Sequence, residues 1–234
     1  MEWFRPLRHT LNMTFDSLWA RGYERLGTLL NPRECQGVRG LYPQPDLFRS
    51  RIDMARYRFG RGEYQYFTYP LPVRVQELRE DLYTQLAPTA REWMSALSLA
   101  QAYPDQLPEF LKECEAVGQV RPTPLLLRYQ AGDFNCLHQD LYGDFFFPFQ
   151  VIVCLSQPDA EFTGGELLLV EQQPRAQSVG RAIRLEQGEA VVITTRYRPA
   201  KGSRGYHRTN FRHGVSELLS GERYTLGIIF HDGK

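Results

Sequence analysis

The sequence predicts an α+β protein, in which a mainly helical region, residues 1–119, packs on a strand-rich core, residues 120–234. Three observations carry this. Before residue 120 the apolar residues fall at helical spacing, most clearly Leu78, Leu82, Leu86, Trp93 and Leu97. From Leu125 onward short apolar runs such as 149–155 and 189–193 alternate with Gly, Pro and Asp, the grammar of many short strands in a sandwich or barrel. The chain of 234 residues, 42% hydrophobic and 24% charged, is long enough for one large domain or a core with an added subdomain.

Taken in order, Phe15, Leu18, Trp19, Leu26, Leu29 and Leu30 recur at helix-like intervals and predict a first helix. Asn31 and Pro32 read as an N-cap followed by proline at the first helical position. The second helix they open runs to about Leu41, where two prolines, Pro43 and Pro45, end it. Segment 48–67 interleaves arginines with aromatics. If it is extended, Arg56 and Arg58 share one face while Tyr57 and Phe59 share the other. Two readings stand: a substrate rim with guanidinium groups for an anion and rings for stacking, or a half-buried strand with its aromatics inward.

Residues 73–99 form the longest helical pattern, continuous or broken near Pro88, and 107–117 form a shorter one. Residues 118–124 link them to the core. Strands are then predicted at 125–129, 134–140, 149–155, 164–170, 189–193, 210–215 and 223–230. Residues 196–205 are basic and Gly-rich, either a lid over a site mouth or a solvated loop.

The formal net charge of +1 gives no global bias towards nucleic acid or membrane. No stretch approaches the roughly 20 apolar residues that span a bilayer, and the first residues lack the apolar run of a signal peptide. A cytoplasmic protein is expected. Its four cysteines are scattered without a C-x-x-C pair and read as reduced thiols. Cys136, two residues before His138, is either a thiolate ligand or a small buried residue.

Chemistry enters at His138-Gln139-Asp140. On a strand, residues i and i+2 face the same side, so one imidazole and one carboxylate project together. A histidine from a distant strand would complete a two-His, one-carboxylate face with its other side open, the ligand set of non-haem Fe(II) oxygenases. H-x-D alone arises by chance. Here it is followed by His213-Gly214-Val215 and, ten residues after that histidine, Arg223-Tyr224-Thr225.

Together these residues resemble the Fe(II)- and 2-oxoglutarate-dependent dioxygenase superfamily, over about residues 120–232. The resemblance implies a double-stranded β-helix (jelly roll), with turns at Gly164-Gly165 and Gln187-Gly188-Glu189. It implies His138, Asp140 and His213 as iron ligands, and Fe(II), 2-oxoglutarate and O2 as the reacting set. Arg223, helped by the Thr225 hydroxyl, would hold the far carboxylate of 2-oxoglutarate, in keeping with the bidentate grip of a guanidinium on a carboxylate. Tyr129 would hydrogen-bond the co-substrate, or else is a core tyrosine. Asn135 orients a ligand or sits in a turn. His207 rivals His213, but the His-Gly-Val run and its interval to Arg223 favour His213. His9 and His231 are not expected to bind metal.

Substrate is the next question. Segments 54–67, 121–129, 132–143 and 209–227 are similar to a bacterial 2-oxoglutarate oxygenase family predicted to act on damaged nucleic acid, in the manner of AlkB demethylases. Those enzymes carry a second arginine six residues after the first, where this chain has Ile229. The Gly-Gly-Glu-Leu turn and the R-x-[ST] pair look more like prolyl hydroxylases. The expected reaction is oxidative demethylation of alkylated nucleic acid, a DNA repair role. The alternative is hydroxylation of a protein side chain or a small metabolite. A metal-binding fold without turnover is a third reading, which the intact triad and Arg223 disfavour.

Overall fold

The computed structural model describes residues 14–143, 145–203 and 205–234, so His9 lies outside the described residues. Helix α1 (Asp16–Arg21) ends because Gly22 turns left-handed, with φ 81°, and its amide closes on the Leu18 carbonyl. A Cβ at Gly22 would lie 2.3 Å from the Phe211 ring. The chain leaves as β1 (Tyr23–Thr28), which corrects the helical reading of Leu26. That residue reaches the core from a strand, at a spacing that mimics a helix only by chance. Helix α2 (Pro32–Arg39) opens as its residues dictate: the Asn31 side chain accepts from the Glu34 amide, and the Glu34 carboxylate accepts from the Asn31 amide.

After a short 3-10 turn at Pro45–Leu47 come β2 (Phe48–Asp53), α3 (Met54–Tyr57), β3 (Gly60–Arg61) and β4 (Glu63–Phe67). The arginine–aromatic segment is therefore not one extended strand. Arg56 sits on a helical turn, and Arg58 caps that turn in the left-handed region, with φ 62°. Helix α4 (Val73–Ala96) runs unbroken through Pro88, and α5 (Leu107–Ala116) follows. An internal proline costs about 3 kcal/mol; burial of Leu82, Leu86, Ala90 and Trp93 around it offsets that.

The remaining strands are β5 (Leu125–Gln130), β6 (Phe134–His138), β7 (Phe149–Cys154), β8 (Phe162–Gly164), β9 (Leu167–Gln172), β10 (Val179–Ile183), β11 (Glu189–Thr194), β12 (Tyr197–Gly202), β13 (Gly205–Val215) and β14 (Leu218–Ile229). They form two antiparallel sheets. The larger runs β1-β11-β7-β14-β5-β4-β2 with β8 on β14, and the smaller runs β10-β9-β13-β6-β3 with β12 on β13. Residues before 120 thus supply strands of the sandwich as well as helices that cover it. The basic 196–205 segment is a β12–β13 hairpin rather than a loop. Pro199 is tolerated there because β12 is an edge strand.

Side-chain alternation sorts the core into two layers. On β11, Ala190 and Val192 join the layer beneath the helices, whereas Val191 and Ile193 face the space between the sheets. On β14, Leu226 and Ile228 point to the helices, while Arg223, Thr225 and Gly227 line a cavity on the other face. A sheet covered on both faces reads as a continuous apolar run, which is why these strands show no polar alternation.

Candidate active site

Strands β6 and β13 are neighbours, and their register sets His138 directly across from His213, with ring centroids 4.2 Å apart. Asp140 lies beyond the end of β6, not on it. Its carboxylate turns back over the strand end, placing Oδ1 3.5 Å from His138 Nε2 and Oδ2 3.2 Å from His213 Nε2. The three donor atoms lie within 4.8 Å of one another. His138 Nδ1 lies 2.8 Å from the Cys136 carbonyl. A carbonyl only accepts, so this nitrogen carries the proton and Nε2 keeps its lone pair for the centre.

Burial works against a charge on Asp140, yet His213 and His138 outweigh it and hold its carboxyl well below the usual range. Burial, reinforced by His138, pushes His213 down. On His138 burial also acts downward, but Asp140 wins and raises it. A divalent cation held by these three groups would do the protons' work, keeping neutral imidazoles against the carboxylate. Three side chains to which the sequence reading gave no role complete the surround. The Tyr142 hydroxyl donates to Asp140 Oδ1 at 2.7 Å and accepts from the Tyr66 hydroxyl at 2.9 Å. Gln150 Nε2 stands 3.2 Å from His213 Nε2.

Cys136 lines the same cavity but is outside the donor group. So is His207, exposed on β13. His231 is fully buried, and its Nδ1 accepts the Phe147 amide at 3.2 Å.

The opposite wall belongs to the larger sheet. Arg223 and Thr225, two apart on β14, point into the cavity, and Tyr129 on β5 is the cross-strand partner of Arg223. Arg223 is only 3% exposed, and its Nη1 has no hydrogen-bond partner among the described residues. Its guanidinium lies 5.7 Å from the Tyr129 ring centroid and 5.9 Å from that of Phe162. Glycine at 165, with φ 66°, makes room: a Cβ there would lie 2.6 Å from Leu218 Cδ1 and 3.2 Å from Arg223 Cδ. Burial pushes the Tyr129 hydroxyl up to about 12 although Arg223 pulls it down, so it stays a neutral donor. Asn135 Nδ2 donates to that hydroxyl at 3.5 Å.

The cavity between the sheets measures about 360 Å³. A buried guanidinium with an unpaired N–H is costly unless an anion meets it. Two imidazoles and a carboxylate facing that guanidinium across the cavity suit a metal-bound dicarboxylate: the donor set fits Fe(II), and the far end of the acid fits Arg223.

This fold and this donor set define a 2-oxoglutarate-dependent non-haem iron dioxygenase, an enzyme that uses Fe(II), 2-oxoglutarate and O2. Residues 62–233 match the Oxygenase-NA family, described as oxygenases catalysing oxidative methylation of damaged DNA, and the chain belongs to that family. Two uncharacterized proteins from strains of Mycobacterium tuberculosis are each 50% identical over 166 residues, 71% of this chain and 71% of theirs.

Solved structures share the fold at low identity. A Pseudomonas putida prolyl-4-hydroxylase superposes with TM-score 0.53 at 16% identity, covering 93% of this chain and 97% of its own. A Trichoplax adhaerens prolyl hydroxylase, solved with a hypoxia inducible factor peptide fragment, gives 0.57 at 15%, covering 94% and 88%. A 2OG-Fe(II) oxygenase family oxidoreductase from Burkholderia pseudomallei gives 0.52 at 15%, covering 93% and 90%.

Proposed function

We propose that this oxygenase removes methyl groups from alkylated nucleic acid by hydroxylating them, with His138, Asp140 and His213 holding Fe(II). Arg223, assisted by Thr225 and Tyr129, holds 2-oxoglutarate. The observation that carries the site assignment is the buried, unpartnered Nη1 of Arg223 across the cavity from the three donor atoms. Bound Fe(II) supplies the coupling of O2 reduction to 2-oxoglutarate decarboxylation.

The chain's own groups do the rest. Cys136 O fixes the His138 ring, Tyr142 fixes one oxygen of Asp140, and Arg223 with Thr225 sets the depth at which a dicarboxylate sits. The Leu125, Leu127 and Ile152 side chains of the larger sheet wall the cavity with apolar surface, which keeps water from the reacting centre.

The substrate class rests on the family's description, and chemistry fixes the direction. An oxygenase delivers oxygen, not a methyl group. Inserting one oxygen atom of O2 into an N-methyl C–H gives N–CH2–OH, while the other enters succinate as CO2 leaves. The N–CH2–OH group then breaks its C–N bond, releasing formaldehyde and returning the proton to nitrogen. The test is succinate and formaldehyde release with Fe(II), ascorbate and 2-oxoglutarate, run against methylated single-stranded DNA, methylated RNA and proline-containing peptides. Asp140→Ala protein is the blank. Both products with a methylated oligonucleotide support the reading; succinate stimulated by peptide alone overturns it in favour of protein hydroxylation.

A further inference from the structure

We infer that Tyr57 and Phe59, flanked by Arg56, Arg58 and Arg61, form a platform at the cavity mouth. On it a base of single-stranded nucleic acid stacks while its phosphates meet the arginines. The inference rests on the nucleic-acid reading above and assigns it a surface.

Three observations converge on this segment. First, the two rings are 50% and 48% exposed, yet they lie against each other, centroids 5.7 Å apart and planes within 20°. A stacked, solvent-facing pair offers a flat π surface that protein has not covered, the feature that sequence-tolerant binding of single strands uses.

Second, the pair is fastened to the metal-bearing strand. Arg58 and Phe59 line the cavity that holds the His–Asp–His group. The Phe59 carbonyl accepts the Cys136 amide at 2.8 Å, and Gly60 pairs with Asn135, three residues before His138. Gly60, with φ 135°, allows that approach, because a Cβ would lie 2.2 Å from the Phe134 carbonyl oxygen. Buried Met54 anchors the near end of the segment, its amide donating to the Gly62 carbonyl and its carbonyl accepting the Phe59 amide. Arg58 is held left-handed, a conformation that costs about 1 kcal/mol or more for a non-glycine residue and is found where surroundings impose it. The platform is thus a fixed edge of the site.

Third, the guanidinium groups are unpaired. Arg56, Arg58 and Arg61 are exposed, and none makes a side-chain hydrogen bond or ion pair among the described residues. The acids that line the adjoining cavity with Arg56 are engaged elsewhere: Asp53 accepts the Ala55 amide, Asp133 accepts the Gln130 amide, and Glu63 is paired with Arg51 and Arg128. Flat rings beside free guanidinium groups match a ligand that alternates bases with phosphates. A proline peptide offers neither. A base still paired in a duplex cannot reach a metal set in a cavity between two sheets, so the target base is either in a single strand or flipped out of its helix.

The test measures anisotropy of a labelled, methylated single-stranded DNA of about ten nucleotides. The full chain is used, loaded anaerobically with Fe(II) and 2-oxoglutarate. Two variants are compared, Tyr57→Ala/Phe59→Ala and Arg56→Ala/Arg58→Ala/Arg61→Ala, with thermal midpoints confirming that both fold. The aromatic variant binds about tenfold or more weakly with an unchanged salt slope, and Tyr57→Trp/Phe59→Trp restores binding. The arginine variant lowers the magnitude of the salt slope by about 2, three contacts at about 0.7 each.

If wild-type protein binds and demethylates the oligonucleotide while both variants bind as tightly, the platform is wrong and the nucleic-acid reading stands. If wild-type protein neither binds nor responds to nucleic acid, the substrate reading fails and takes the platform with it. Peptide stimulation that these substitutions abolish assigns the surface to protein instead.

Discussion

Arg223 shows how one side chain can carry a functional argument. Its Nη1 is buried without a partner, on a strand whose other inward residues are Thr225 and Gly227. Charge-assisted hydrogen bonds contribute about 1.5–3 kcal/mol each. Replacing Arg223 with Ala should therefore raise the 2-oxoglutarate requirement at least about tenfold while Fe(II) binding persists. Arg223→Lys, which keeps the charge but not the fork, should recover only part of it. Titration of 2-oxoglutarate in the succinate assay checks both, and an unchanged requirement would displace the co-substrate pocket.

His231 makes a different point at the same scale. Burial, helped by Arg79, pushes its pKa down to about 3, so the folded protein keeps this ring neutral where an unfolded chain protonates it. Between the ordinary value of 6.5 and about 3 the unfolded state binds the extra proton, so stability falls as pH falls. The slope from this group approaches 1.4 kcal/mol per pH unit at most. Above the ordinary histidine pKa the group contributes no pH dependence. His231→Asn keeps an acceptor for the Phe147 amide and should flatten the acid limb; urea melts at pH 6.5 and 5 read the difference.

At the scale of elements, registration does the assembling. Pairing of β6 with β13 brings His138 opposite His213 across 75 residues of chain, and pairing of β14 with β5 brings Arg223 beside Tyr129. These features were legible because they are local: H-x-D, His-Gly-Val and R-x-T are short, and alternation fixes which side chains share a face. Asp140 met His138 as the spacing required, although from the irregular chain just past the strand rather than on it. Less was legible where packing decides. Leu26 carried helical spacing on a strand, because Gly22 and the Phe211 ring ended the helix first. The β12–β13 hairpin was hidden by Pro199 and its glycines, and Tyr142, Tyr66 and Gln150 gave no pattern because their partners are set only by the fold.

Gly60 tests registration directly. Gly60→Ala should push β3 off β6, with faster amide exchange at Cys136 and loss of rim order at Phe59, since the added carbon meets the Phe134 carbonyl. Protection equal to wild type would mean that β3 is not held by that approach.

For the molecule as a whole, helices brace the sandwich from outside. Arg79, fully buried on α4, donates to the Ile229 and Phe230 carbonyls and pairs with Asp232, tying the longest helix to the end of β14. Across the cavity the polar ties between the sheets are neutral and few, Gln150 to His213 and Asn135 to Tyr129 among the described residues, while the metal-ligand group sits on one side and Arg223 on the other. A dicarboxylate bound to both is consequently a rivet between two leaves. Metal and 2-oxoglutarate should then stabilise the fold cooperatively. With Fe(II) present, 2-oxoglutarate at 100 times its Kd should add about 2.7 kcal/mol. Without the metal, or in Arg223→Ala, the melting shift should largely vanish, and equal shifts with and without metal would count against the bridge. The co-substrate consumed in each cycle is then also a piece of the architecture, and every turnover removes a brace between the two sheets that the next molecule must restore.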